Sequence, residues 1–216
     1  MTKFFKDRKD AGARLAMALE EYMDREVLVL AIPRGGVEIG FEVARHLKAS
    51  LHLLITRKLP FPNNPESGFG AISEDGSTYI HRQAASWLSA GEIERIKEEQ
   101  SEEIKRRIKI LRKGKPLPDI SAKTVMLVDD GLAMGSTMLA SINYCRHQKV
   151  AEVVVAVPVA GLRAASLVSR KADRLVVLEM PENFRAVAQV YQNWHDVTDS
   201  QVLSILDQWE KLKKSY

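Results

Sequence analysis

Apolar positions recur along the chain in two rhythms. In one, short and nearly continuous apolar runs occupy residues 27–32, 51–55, 125–128, 153–157 and 175–178. Runs of that length, bounded by small or polar residues, are the signature of strands buried on both faces. In the other rhythm, apolar residues return at helical spacing. Leu15, Leu19 and Tyr22 predict a helix over 7–22, and a second is predicted over 37–47. Ile93, Ile96, Ile104, Ile108 and Leu111 mark the inward stripe of a long charged helix. Further helices are expected over 136–147 and 162–171, and Val202, Leu203, Leu206 and Trp209 predict a closing one. Buried strands alternating with helices specify a doubly wound α/β fold: a mainly parallel sheet of about five strands with helices on both faces.

Two segments escape both rhythms. Residues 57–77 are rich in Pro, Gly, Asn and Ser, and so long a segment is expected to be a functional lid or poorly ordered. Part of it, 69–73 and 77–80 around Asp75-Gly76, suits a hairpin. Residues 180–199 read as irregular.

Composition narrows the class. The chain of 216 residues is 45% hydrophobic, enough for a sizeable core. The longest apolar run, 153–162, is half of what a membrane span needs. The N-terminal residues are charged, with no signal-peptide pattern, so a cytoplasmic protein with no membrane partner is expected. One cysteine, Cys145, excludes an internal disulfide, and His46, His52, His81, His147 and His195 show no metal-ligand spacing. The net charge of +4 is concentrated in residues 92–115, which hold nine Lys or Arg against six Glu. There the glutamates come first and the cations last, the order that suits a helix macrodipole. Helix electrostatics therefore explain the charge more simply than a nucleic-acid partner does, and none is expected.

The candidate chemistry lies where a strand runs into a helix. Residues 125–137 read Val-Met-Leu-Val-Asp129-Asp130-Gly131-Leu-Ala133-Met134-Gly135-Ser136-Thr137. A small-residue loop opening a helix offers backbone N–H groups, hydroxyls and a positive dipole end to a phosphate. Two carboxylates beside it can accept hydrogen bonds from a vicinal diol. Phosphate with diol indicates a ribose phosphate. The plainer reading is that the acids cap a turn and Gly135 lets it bend. No Walker loop and no dinucleotide fingerprint is present.

This string resembles the phosphoribosyl-pyrophosphate (PRPP) signature of the type I phosphoribosyltransferases. Ala31-Ile32-Pro33-Arg34-Gly35-Gly36 is similar to the family's pyrophosphate loop, in which a cis non-proline peptide is frequent; the matching bond joins Pro33 to Arg34. Arg57-Lys58 and the segment after them resemble its flexible lid. The resemblance implies one phosphoribosyltransferase-like domain over 1–216, with a core over 24–180, a lid over 57–80 and a tail over 181–216 forming a small hood. It implies that Asp129 and Asp130 hold the ribose hydroxyls and that Ala133, Met134, Gly135, Ser136 and Thr137 wrap the 5-phosphate. Arg34, Gly35 and Gly36 would meet the pyrophosphate, and Arg57 and Lys58 would stabilise it as it departs. Magnesium would be the cofactor, carried by PRPP near Asp129 and Asp130. The partners implied are PRPP, a small nitrogenous base and a second copy in a homodimer.

Two departures from the family pattern matter. Met134 stands where the family usually has Thr, which removes a hydroxyl worth about ten- to a hundredfold in affinity for a charged group. Ala133 stands where 6-oxopurine enzymes carry an Asp base, which argues against hypoxanthine or guanine as acceptor. Glu66 and Glu74 are base candidates only as lid carboxylates. Phe184, Tyr191 and Trp194 suit stacking on a base, though anchoring the tail to the core is the commoner use of such residues. Three functions stay open: a PRPP-dependent transferase that releases pyrophosphate, a sensor that keeps the pocket without turnover, and another sugar-phosphate enzyme with the same grips.

Overall fold

The computed structural model describes residues 3–213, so the end of the 181–216 tail lies outside the described residues. From the N-terminus the elements are α1 (Arg8–Met17), β1 (Val27–Ala31), α2 (Gly36–Leu47), β2 (Ser50–Leu53), β3 (Thr56–Phe61), β4 (Asn64–Ser73), β5 (Thr78–Ile80) and α3 (Arg82–Ala85). They continue as α4 (Ala90–Leu111), β6 (Thr124–Val128), α5 (Ser136–His147), β7 (Glu152–Val159), α6 (Leu162–Ser169), β8 (Arg174–Glu179) and α7 (Asp199–Lys213).

The five apolar runs pair as one parallel sheet in the order β2-β1-β6-β7-β8. Every residue of β1 is buried, as both-face coverage requires. Alternate strand residues supply separate cores. Val29, Met126 and Val154 join one with Leu15, Val43 and Trp209. Leu30, Leu127 and Val155 face the other with Leu139 and Val168. From β1 the chain moves outward to β2, and from β6 it moves the opposite way to β7 and β8. The strand order therefore reverses between β1 and β6, whose ends Ala31 and Val128 are register partners. In an open α/β sheet the ligand crevice lies beyond the carboxyl ends of the strands at such a switch point.

The long charged segment is α4. Ser89 and Glu92 form a reciprocal capping box at its start. Its charges pair within the helix: Glu94 with Lys97, Arg95 with Glu99, Glu102 with Lys105, and Glu103 with both Arg106 and Arg107.

Residues 57–77 are ordered in strands, with the hairpin expected around Asp75-Gly76 present and a further strand before it. They build a second, antiparallel sheet in the order β3-β4-β5. The hairpin around Asp75-Gly76 pairs Gly70 with Ile80 and Ile72 with Thr78. The strands escaped the pattern because only the second half of β4 is buried, its first half being polar and exposed. A register shift at Leu59/Pro60 lets a proline stand in β3. The sheet packs on α5. Thr56 joins Ser73 and Ser141 through hydroxyl contacts of 2.9 Å, and Asn143 Nδ2 donates to the Thr78 carbonyl at 2.9 Å. The opening helix is also shorter than expected: it stops at Met17, and a 3-10 turn covers Glu20–Tyr22.

Candidate functional site

Beyond Val128 the chain must turn sharply into α5, and small residues let it do so. A Cβ on Gly131 would stand 2.8 Å from Val159 Cγ1 and 2.9 Å from Val187 Cγ1. The turn is clamped to the end of β7: Leu132 N–H donates to the Val159 carbonyl, and Gly161 N–H to that of Leu132, both at 2.9 Å. Gly135 then takes a left-handed φ of 79°, which favours glycine. As the N-cap of α5 it provides no side-chain hydrogen bond. Leu139 N–H reaches back to the Gly135 carbonyl at 2.9 Å, so the N–H groups of Ser136, Thr137 and Met138 precede the helical ladder.

These groups border a cavity of about 630 Å³. Ala133, Met134, Gly135, Ser136 and Thr137 all line it, with Asp129 beside them. Its opposite wall comes from the antiparallel sheet and the segment after it, including Lys58, Phe61, Glu66, Gly68, His81 and Trp87. The arrangement offers an anion a helix start with free donors, next to a carboxylate able to accept from hydroxyls.

The two acids have different surroundings. Asp129 faces the cavity, and its Oδ1 accepts the Asp130 N–H at 2.8 Å. Burial, with the adjacent Asp130 charge, raises its pKa well above the usual carboxylate range. Asp130 stands outside the cavity lining and accepts Arg8 Nε at 2.8 Å. Burial raises its pKa too, while the Arg8 guanidinium pulls it back.

Arg8 is the residue that sequence reasoning missed. It is buried at the start of α1, within the charged stretch that looked like ordinary surface. Its Nη1 donates to the His195 carbonyl at 2.9 Å, and its guanidinium lies 3.9 Å from the Trp194 ring centroid. Tyr191 is buried against Phe5, and its hydroxyl donates to the Asp130 carbonyl at 2.7 Å. The tail aromatics Tyr191 and Trp194 thus anchor the tail behind the acids, while Val187 reaches the cavity wall.

The loop after β1 meets the acids from the other side. The Pro33–Arg34 peptide is cis. A Cβ on Gly35 would fall 1.8 Å from Asp130 Oδ2, and one on Gly36 would fall 2.8 Å from the Val128 carbonyl oxygen. Only glycines allow this approach. Arg34, half-exposed, reaches Asp199 of α7 at 3.5 Å. Arg34, Gly35 and Gly36 therefore sit beside the acids but outside the cavity lining.

Strand alternation separates Arg57 and Lys58. Lys58 lines the cavity, with its Nζ donating to the Glu66 carbonyl at 2.6 Å. Arg57 points toward α4, where its Nε donates to Gln100 at 3.2 Å. Burial and the nearby charges of Arg107 and Arg34 lower its pKa, with Glu103 opposing them. Of the carboxylates weighed as bases, Glu66 lines the cavity. Glu74 is instead buried against Arg112 at 3.0 Å. Cys145 is buried, and its thiol is pushed up to about 12 by that burial. Among the described residues, no group of three or more His, Cys, Asp or Glu could hold a metal, and no helix is long and apolar enough to cross a membrane.

Comparison with known proteins identifies the family. The crystal structure of TT1426 from Thermus thermophilus is similar at a TM-score of 0.79 and 36% identity, over 95% of this chain and 99% of that one. A Staphylococcus aureus hypoxanthine phosphoribosyltransferase shares the fold at a TM-score of 0.50 and 12% identity, over 85% of this chain and 79% of that one. A Mycobacterium tuberculosis protein named "Putative phosphoribosyl transferase Rv0571c" is 37% identical over 95% of this chain and 47% of its own length. The chain thus spans about half the length of the curated relatives it matches. The phosphoribosyl transferase domain profile matches residues 5–193, a stretch that includes Arg8, both sheets and Tyr191. With its parallel sheet, its Asp129-Asp130 turn and its glycine-opened α5, the chain belongs to the type I phosphoribosyltransferase family.

Proposed function

We propose that this domain binds PRPP with magnesium and transfers its phosphoribosyl group to a nitrogenous base, releasing pyrophosphate. One observation carries the reading: the uncapped start of α5 and the Asp129 carboxylate open into the same cavity. The first suits a terminal phosphate and the second a sugar hydroxyl, at two ends of one ligand.

The reaction is substitution at the anomeric carbon through an oxocarbenium-like state, and the chain's part is positioning. The N–H groups at the start of α5, with Ser136 and Thr137, hold the 5-phosphate. Asp129 accepts from a ribose hydroxyl; Asp130, held by Arg8 and bonded through its N–H to Asp129, fixes that carboxylate and takes the second hydroxyl at the cavity edge. Arg34, Gly35 and Gly36 flank the pyrophosphate, and Arg57 adds positive charge on that side. Lys58 faces the cavity, where it can meet negative charge as the bond breaks. The antiparallel sheet covers the site and excludes water that would hydrolyse the sugar.

Magnesium fits as a substrate-borne ion. It keeps several waters and takes one or two carboxylates along with substrate phosphates, which matches the Asp129-Asp130 pair better than a cage would. When bound, it supplies neutralisation of the pyrophosphate charge. A homodimer in the cytoplasm is the assembly and location that accompany this reading.

A PRPP sensor without turnover is the second reading, favoured by Met134 where the family usually has a hydroxyl. One assay separates the two. Magnesium, PRPP and a panel of purine and pyrimidine bases are supplied, and pyrophosphate release is followed. Base-dependent release is expected. Tight PRPP binding with no release across the panel would support the sensor, and no PRPP binding at all would contradict both.

A further inference from the structure

The phosphate loop has two sides. Met134 lines the main cavity and also a second one of about 240 Å³, with Ala133, Ser136, His81 and Gln83 bordering both. The methionine side chain is 73% exposed, so it stands between the two spaces without filling either. The wall peculiar to the second cavity is formed by Tyr79 of β5 and by Arg163, Ala164 and Leu167 of α6.

The position of Arg163 is set by the loop itself. Gly161, the N-cap of α6, donates its N–H to the Leu132 carbonyl at 2.9 Å. A Cβ on Gly135 would touch Ala164 at 3.4 Å. The first turn of α6 is therefore fastened to the loop that begins α5. The exposed Arg163 side chain has no hydrogen bond, ion pair or ring contact among the described residues. The loop offers amides and hydroxyls but no cation of its own, since residues 131–137 contain neither Lys nor Arg. A phosphate monoester brings nearly two negative charges, and neutral donors leave most of that charge unopposed.

We propose that Arg163 is a phosphate-binding residue of this chain, reaching the 5-phosphate from α6 past Met134 and replacing the donor that methionine removes. The inference rests on the PRPP reading and adds a residue outside the 125–137 string. Its planar fork suits a phosphate better than a single hydroxyl does. It also explains how a methionine is tolerated in the loop: the lost contact is supplied from the neighbouring helix.

Ribose 5-phosphate and PRPP are titrated calorimetrically into wild type, Arg163→Gln, Arg163→Lys and Met134→Thr, at low and high salt. Wild type should bind both ligands. Arg163→Gln should weaken ribose 5-phosphate by about ten- to a hundredfold, with an unchanged melting temperature because the side chain holds no partner. The salt dependence of binding should flatten in Arg163→Gln and return in Arg163→Lys, which keeps the charge. Adding Met134→Thr to Arg163→Gln should recover part of the loss. If wild type binds and Arg163→Gln binds equally well, the Arg163 assignment fails while the PRPP reading stands. If wild type binds neither ligand, the PRPP reading fails and takes the assignment with it. A loss in Arg163→Gln that Lys does not restore, with no change in salt dependence, would also overturn it.

Discussion

Helices α4 and α5 begin in opposite ways. At the start of α4, Ser89 and Glu92 close the helix end upon each other, with Ser89 N–H donating to Glu92 Oε2 at 2.8 Å. Further along, its charged residues pair among themselves. At the start of α5, Gly135 supplies no cap, and the first N–H groups open on a cavity beside a half-buried carboxylate. A helix end that satisfies its own donors is built for stability. One that leaves them free beside an uncomfortable charge carries an unmet cost that a ligand can relieve. In the proposed reading, the start of α5 is where this chain trades stability for binding.

The sharpest way to break that contrast is Asp129→Asn. PRPP affinity should fall by at least about a hundredfold, since a hydroxyl donor then meets an amide in place of a carboxylate. The unliganded protein should become more stable, by about 2–4 °C for each kcal/mol recovered when the half-buried charge is removed. The pH sign follows from the raised pKa. The native chain holds the Asp129 proton more tightly than the unfolded chain, so stability falls as pH rises from about 3.9 through the native value. Asp129→Asn should remove that decline in a pH series of thermal melts. A variant that binds PRPP normally would end the assignment.

Gly135→Val tests the loop. A β-branched residue at that φ should cost about 1–3 kcal/mol in denaturant titrations and displace the amides that face the ligand. PRPP affinity should drop with it.

The effects at α4 should be smaller and confined to stability. Ser89→Ala should cost about 1 kcal/mol through loss of the cap, with PRPP binding unchanged. Glu103 is held down to about 2 by its hydrogen bond to Arg106, with Arg107 adding to the effect. Its pair therefore contributes stability above the ordinary carboxylate range and loses it as pH falls toward 2. Glu103→Gln should cost less than about 1 kcal/mol at neutral pH, and that difference should vanish in acid.

The same contrast explains what could be read from the sequence. The five parallel strands were legible because burial on both faces forces continuous apolar runs, and α4 because its stripe and charge order are local. The turn that opens α5 was legible because a strand, two acids and a glycine turn lie consecutively. The hairpin at 69–80 was legible from its Asp75-Gly76 turn, whereas β3 and the first half of β4 were obscured by exposed polar positions and by Pro60. Arg8 could not be found by pattern, because a lone arginine in a charged helix looks like surface until Trp194 and His195 close over it. The different surroundings of Asp129 and Asp130 depend on that same distant contact, and adjacency in sequence suggested equivalence. Lys58 and Arg57 looked like one cationic pair, yet strand alternation sends them to opposite faces.

The most direct test of the central claim is an amide nitrogen–proton NMR titration of the domain with ribose 5-phosphate. The amides of Met134, Gly135, Ser136, Thr137 and Met138 should shift together and saturate, while those at the start of α4 stay in place. Saturable binding that leaves the start of α5 unmoved and shifts amides elsewhere would contradict the account.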